Sequence, residues 1–251
     1  MIDQQDKIDL NCDTGEGVGN EEALMPFITS CNIASGGHVG SLASVAQVVA
    51  LAKKHQVKIG AHPSFPDEKN FGREFIPIPI PQLRESLMQQ ISLVAAQCER
   101  EGVKMHHIKP HGALYNRCAE DEIYGEMMVN LMLEHFPDCI LYAPYASVIA
   151  KLAKGKIKVD VEGFADRNYN ADHSLVSRKE ANAMRTGKEA ILKHIEHMLL
   201  DHKITTITGE EIDTRVKTVC VHGDSADAVA LVEFLYRELK EKNLLKTAEN
   251  D

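Results

Sequence analysis

Polarity alternates residue by residue along the short β-like runs of this chain, and that alternation limits the folds open to it. Runs of this kind occur at 7–11, 31–35, 57–62, 107–110, 140–143, 158–164 and 217–222. Successive side chains point to opposite faces of a strand. In the first run Ile8 and Leu10 share one parity, while Asp9 and Asn11 share the other and lead on to Asp13. In the third, Val57, Ile59 and Ala61 oppose Lys58 and His62; in the fourth, Ile108 opposes His107 and Lys109. Val159 and Val161 oppose Asp160 and Glu162, and Val219 and Val221 oppose Cys220 and His222. Parallel strands covered on both faces by helices should be apolar on both. A polar face therefore requires a solvated sheet or a polar lumen inside a closed barrel.

Between the runs lie stretches with helical periodicity, at 21–27, 41–55, 82–101, 121–136, 146–153, 179–203 and 226–242. Strands alternating with helices imply parallel βα units. About seven such units in 251 residues fit one (β/α) barrel, seven-stranded and slightly irregular, better than a doubly wound open sheet. The expected domain is the whole of 1–251, with a frayed tail from about 243. In a barrel the polar parity faces inward. Its ionisable groups must pair with each other, with water or with a ligand, because burying them alone is costly.

Six loops follow the strands: DTGEGVG (13–19), SGGHVG (35–40), GAHPSFPD (60–67), KPHGALYN (109–116), FADRNY (164–169) and HGDS (222–225). Ligands bind at the C-terminal ends of parallel strands, so these loops are expected to form one site. Asp13, His38, His62, His111 and His222 supply acid and imidazole groups suited to acid–base work or to a divalent metal. Asp13, His38 and His62 are the candidate metal ligands. Gly15 and Gly17, with Gly19, allow close backbone approach and an anion nest, and Glu16 lies among them. Lys109 suits an oxyanion or phosphate, and Arg73 suits a carboxylate. Asn11, Asn32 and Asn116 offer orienting amides. Asp166 and Arg167 either pair with each other or serve the site.

His106 has outward parity and is expected to pack. His55, His135, His194, His197 and His202 lie in helix-like stretches and read as surface or packing residues. Cys12, Cys31, Cys98, Cys118, Cys139 and Cys220 show no CxxC spacing and read as free core thiols. A net charge of −9 argues against nucleic-acid binding. Without an apolar run of about 18 residues or a signal-like N-terminus, no membrane span is expected and a cytoplasmic location is. No GxxxxGK[ST] phosphate loop occurs; Thr186-Gly187-Lys188-Glu189 fails at its last residue.

DLNCDTGE, NIASGGHVG, GAHPSFPD, FGR, HIKPHGALYN, FADRNY, LVSR and VCVHGDS occur in order from Ile8 to Ser225. Together they resemble the LamB/YcsF family, that of the bacterial 5-oxoprolinase A subunits. The resemblance implies a (β/α) barrel of the glycoside hydrolase/deacetylase type. It also implies ATP-dependent opening of 5-oxoproline (pyroglutamate) to L-glutamate, with ATP as co-substrate, a divalent cation such as Mg²⁺, and partner subunits B and C. Asp13, His62, Lys109 and His111 are then the expected catalytic residues. The chain departs from the family pattern where Ser35 replaces cysteine, Gly37 phenylalanine, Ser41 aspartate, Glu74 arginine and Thr14 methionine. The acid missing at Ser41 weakens cation binding by that loop, and Glu74 bears on the substrate. A metal-dependent deacetylase or amidohydrolase acting on a small amide, and a non-catalytic substrate-binding subunit, are the competing readings.

Overall fold

A computed structural model describes residues 7–223 and 227–246. Asp224 and Ser225 of the last loop, and residues 247–251 of the expected frayed tail, lie outside the described residues. Seven parallel strands close into a barrel among the described residues: β1 (Asp9–Thr14), β2 (Ser30–Ile33), β3 (Lys58–Ala61), β4 (Met105–Ile108), β5 (Ile140–Pro144), β6 (Val159–Phe164) and β9 (Thr218–Cys220). β9 lies between β6 and β1 and completes the ring. All seven correspond to the runs of alternating or apolar residues in the sequence. The pairing is in register across β1, β2 and β3, with Asp13 beside Asn32 and Asn32 beside Gly60.

Helices cover the outside: α1 (Glu21–Leu24), α2 (Leu42–His55), α3 (Ile80–Glu101), α4 (Gly112–Glu120), α5 (Glu122–His135), α6 (Val148–Ala153), α7 (Lys188–Glu196) and α8 (Ala228–Glu241). Their placement follows local chemistry. Ser41 and Ser44 form a reciprocal cap that starts α2, so the serine that departs from the family pattern serves as a helix cap. α3 has proline in its first turn and ends at Gly102, whose φ of 69° suits glycine. Its buried stripe of Leu83, Leu87, Ile91, Val94 and Cys98 packs toward the barrel. The outward parity of the strands, including Ile8, Leu10, Ile59, Ile108, Val219 and Val221, belongs to the same core. All six cysteines are free and buried.

The structure differs from the sequence expectations in three places. KPHGALYN is not all loop, because α4 begins directly after His111. The stretch 179–203 is not one helix: α7 starts only at Lys188, a π-helical turn follows at His197–Asp201, and β7 (Lys203–Thr205) pairs antiparallel with β8 (Glu211–Asp213). His202, at φ 57°, breaks the helix before that hairpin. His106 does not simply face outward. The β3–β4 register slips between Ile59 and Gly60, which makes a bulge on β4. His106 contacts His107 there and, with Asp9 and Tyr142, lines a separate cavity in the barrel. No helix among the described residues is long and apolar enough to cross a membrane.

His194 on α7 is buried, and its Nε2 has no hydrogen-bond partner. Burial, with Arg185 and His197 nearby, pushes the imidazole down to about 3. A folded-state value below the unfolded one means that the unfolded chain takes up the proton first. This group therefore costs nothing above about pH 6.5 and destabilises progressively as pH falls from there toward 3. Denaturant unfolding at pH 7.5 and pH 5.0 checks this. Between those values His194→Leu is expected to lose less stability than the parent, by up to about 2 kcal/mol. Equal losses in the two proteins would contradict the assignment.

Candidate active site

The barrel lumen is filled with polar side chains arranged in tiers. At the lowest tier the Asp9 carboxylate accepts from Ser30 and Thr218 hydroxyls at 2.6 Å each, from Thr29 at 2.7 Å and from Tyr142 at 3.2 Å. Above it Asn11 donates to Glu162 Oε1 at 3.0 Å and to Thr218 at 2.7 Å, and its carbonyl accepts from Asn32 at 2.8 Å. The His107 Nε2 donates to the Asn32 carbonyl at 2.7 Å, and its ring stacks on Tyr142. Gly60 makes room for that ring: a Cβ there would lie 2.1 Å from His107 Nε2. Burial holds the His107 pKa well below the usual imidazole value.

Lys109 crowns this network. Its ammonium is buried and lies 2.9 Å from Asp13 Oδ1, 3.0 Å from Glu162 Oε1 and 3.1 Å from Cys220 Sγ. Burial alone would lower its pKa, but Asp13, Cys220 and Glu162 overcome that and hold it well above the ordinary lysine value. Burial would likewise raise the Asp13 carboxyl, yet His62 and Lys109 keep it well below the usual range. Two carboxylates thus share one ammonium. The Cys220 thiol is pushed up by burial.

The floor of the mouth is made by Asp13, Glu16, His62 and His111, whose ligand atoms all lie within 4.8 Å of one another. Their hydrogen bonds determine where protons sit. His62 Nδ1 faces the Lys109 carbonyl at 2.8 Å and must donate. His111 Nε2 faces the Phe71 carbonyl at 2.9 Å and must also donate. Two neutral rings would then present bare lone pairs to each other, at 2.9 Å between His62 Nε2 and His111 Nδ1. Asp13 Oδ2 stands 3.3 Å from the same His62 nitrogen, and Glu16 Oε1 stands 3.6 Å from His111 Nδ1. Four acceptors converge, so one further proton or a cation is needed among them. Burial and the neighbouring His62 and His38 hold the His111 pKa well below its ordinary value.

His38 lies outside this group. Its Nδ1 contacts Ser64 Oγ at 2.9 Å and its Nε2 contacts Glu16 at 3.1 Å, while its ring stacks flat on His111 at 3.7 Å. The donor set that the structure brings together is thus Asp13, Glu16, His62 and His111, instead of Asp13, His38 and His62. Two imidazoles and two carboxylates fit a divalent metal of the zinc or manganese kind better than Mg²⁺, which prefers oxygen ligands.

Above the floor opens a cavity of about 670 Å³, lined by Arg73, Lys109, Asn116, Tyr115, Phe164 and His222 besides the floor residues. That volume is ordinary for a small-molecule site. Asn11, Asn32 and His38 do not reach it; they are buried beneath and hold the floor in place. Asp166 lies behind His222, taking its Nδ1 at 2.9 Å, and His222 keeps the Asp166 carboxyl low despite burial. Arg167 does not pair with Asp166 but donates to the Val176 carbonyl at 2.6 Å. Gly15 and Gly17 do not line the cavity, and the Gly15 N–H is taken by Glu21 at 3.1 Å. Glu162, Tyr115 and Arg178 also stand at the site, although their loops and strands suggested other residues first. The parity of β6 pointed to Glu162, and LVSR contains Arg178.

A model of the LamB/YcsF family matches residues 8–250. The chain is 40% identical over 249 residues to the 5-oxoprolinase A subunit of Shouchella clausii, covering 97% of this chain and 98% of that protein. It is 36% identical to the 5-oxoprolinase A subunit of Pyrococcus horikoshii, covering 95% and 96%. The crystal structure of a lactam utilization protein from Thermus thermophilus superposes with a TM-score of 0.89 at 29% identity, covering 96% of this chain and 99% of that one.

Removing the shared cation should be more damaging than removing one anion. Lys109→Met leaves Asp13 and Glu162 facing each other in the lumen and is expected to cost about 3–5 kcal/mol in denaturant unfolding. Adding Glu162→Gln to that variant should recover part of the loss. Additive losses in the double variant would show that the two groups do not interact.

Proposed function

The chain belongs to the LamB/YcsF family, and from that premise we propose that it is the A subunit of a 5-oxoprolinase, hydrolysing 5-oxoproline to L-glutamate. In this reading it works in the cytoplasm with subunits B and C and consumes ATP. The observation that carries the proposal is the convergence of His62 Nε2, His111 Nδ1, Asp13 and Glu16 at the floor of a cavity that admits a small molecule.

A five-membered lactam is a poor electrophile with little strain to release. Transfer of a phosphoryl group from ATP to the amide oxygen turns that oxygen into a leaving group and generates ADP. Water then adds to the activated carbon, the C–N bond breaks to leave an acyl phosphate, and a second water displaces phosphate to give the carboxylate. The residues at the floor suit the proton transfers in this sequence. The proton shared between His62 and His111 passes first to the ring nitrogen, which frees a lone pair on the histidine pair to accept a proton from the attacking water. Asp13 lies 3.3 Å from His62 Nε2, and Lys109 fixes Asp13. Arg73, packed over Phe71 at 4.9 Å, offers a fork to the substrate carboxylate. Asn116 and His222 remain candidates for orienting contacts from the cavity wall.

A divalent metal, where bound, would be held by Asp13, Glu16, His62 and His111 and would supply Lewis-acid polarisation or an acidified water. That donor set supports a second reading, a metal-dependent amidohydrolase of a small amide. Stoichiometric metal in the purified protein, with activity that chelation abolishes and ATP does not affect, would favour it.

Glutamate release from 5-oxoproline and ATP by the reconstituted complex tests the main proposal. Asp13→Asn and Lys109→Ala are each expected to lower the rate by about a hundredfold or more, with the chain alone inactive. Near-normal rates in both variants would reject the assignment.

A further inference from the structure

The cavity wall contains a buried guanidinium with no counter-ion among the described residues. Arg167 is 6% exposed and lines the cavity. One of its nitrogens donates to the Val176 carbonyl, while Nε has no partner. Its neighbour Asp166 is turned to His222, and among the described residues Arg167 makes no ion pair with any carboxylate. A buried charge left unpaired is costly, and proteins retain one where a ligand supplies the partner.

A second guanidinium stands with it. The segment 165–187 folds back on itself through bridges between Arg167 and Met184 and between Tyr169 and Leu175. The Val176 N–H donates to the Asn168 carbonyl at 2.9 Å, and the Arg167 side chain grips the Val176 carbonyl. This double hold sets Ser177, Arg178 and Lys179 along the same cavity wall. Burial and the field of Arg178 both push the Arg167 guanidinium below its ordinary value. The acidic residues that line the cavity are Asp13, Glu16 and Glu74. Asp13 is engaged by Lys109 and His62, and Glu16 by His38.

Of the anion donors expected elsewhere in the mouth, Arg73 lines the same cavity, while the expected phosphate donors are not free to serve it. Lys109 is saturated by Asp13 and Glu162, and Gly15 and Gly17 lie off the cavity. We propose that Arg167 and Arg178 form an anion subsite that takes an oxyanion group of the bound reactants. Guanidinium forks match carboxylate and phosphate oxygens in geometry as well as charge. The identity of that oxyanion rests on the lactam-opening reading: it is the carboxylate of the lactam or a phosphoryl group of the nucleotide.

Calorimetric titration of the full chain with 5-oxoproline, and separately with tripolyphosphate, tests the subsite. Arg178→Ala changes an exposed side chain and should fold normally. Arg167→Lys keeps the charge and loses the fork. In both variants the dissociation constant of at least one probe is expected to rise about fivefold or more. A rise confined to 5-oxoproline assigns the carboxylate, and one confined to tripolyphosphate assigns the phosphoryl group. Smaller rises for both probes in both variants, or a parent chain that binds neither, would overturn the subsite. An Arg178-dependent tripolyphosphate signal in a chain that does not bind 5-oxoproline would keep the subsite and reject the lactam reading.

Discussion

A lysine ammonium buried in the barrel lumen is the interaction on which the rest of this structure depends. Lys109 sits at the end of β4, within 3.0 Å of carboxylates from β1 and β6. A barrel of seven short strands leaves its interior to side chains, and here those side chains are largely polar. Hydrogen bonding satisfies most of them: Asp9 accepts four bonds, and Asn11 and Asn32 link β1 to β2, β6 and β9. Such a network is stable only when nearly complete. Lys109 is the cation that offsets part of the negative charge in this one.

It does not make it fully neutral, and that imbalance leads from fold to chemistry. One ammonium faces Asp13 and Glu162, and Glu16 adds a third carboxylate at the mouth. The surplus of acceptors is concentrated where His62 and His111 meet lone pair to lone pair. A proton or cation held there would face acceptors on every side, with a cavity opening above it. In the proposed reading the floor serves acid–base chemistry and Arg167 and Arg178 supply a cationic stretch of wall, for a ligand with a reacting amide and an anionic group.

The barrel was legible in the sequence because its strands have two physically different faces. The alternation of Asp9, Asn11 and Asp13 with Ile8 and Leu10 is what a polar lumen inside a helical shell demands. Asp160 and Glu162 repeat it on β6. The convergence of the loops followed from parallel topology. Other features depend on distances that no local pattern records. The His106 parity argument failed because a one-residue bulge resets the period of β4. α4 was hidden by Pro110 and Gly112, although Gly112 is required there: a Cβ would lie 2.6 Å from the Gly72 carbonyl oxygen. Glu16 and His111, and not His38, join Asp13 and His62 in the donor group, because stacking on His111 and a bond to Ser64 orient the His38 ring. Whether Arg167 pairs with its neighbour Asp166 or serves the site was open in the sequence; adjacent residues on this turn diverge, and the carboxylate bonds His222 instead.

Nitrogen-15 spectra of histidine-labelled protein, with His62 and His111 assigned by single His→Gln variants, test the floor most directly. The account predicts protonated His62 Nδ1 and His111 Nε2. It predicts a signal between free and protonated imidazole for the two facing nitrogens, and a shift of those two signals when 5-oxoproline is added. Facing nitrogens with the signature of free lone pairs, unmoved by 5-oxoproline, would contradict it.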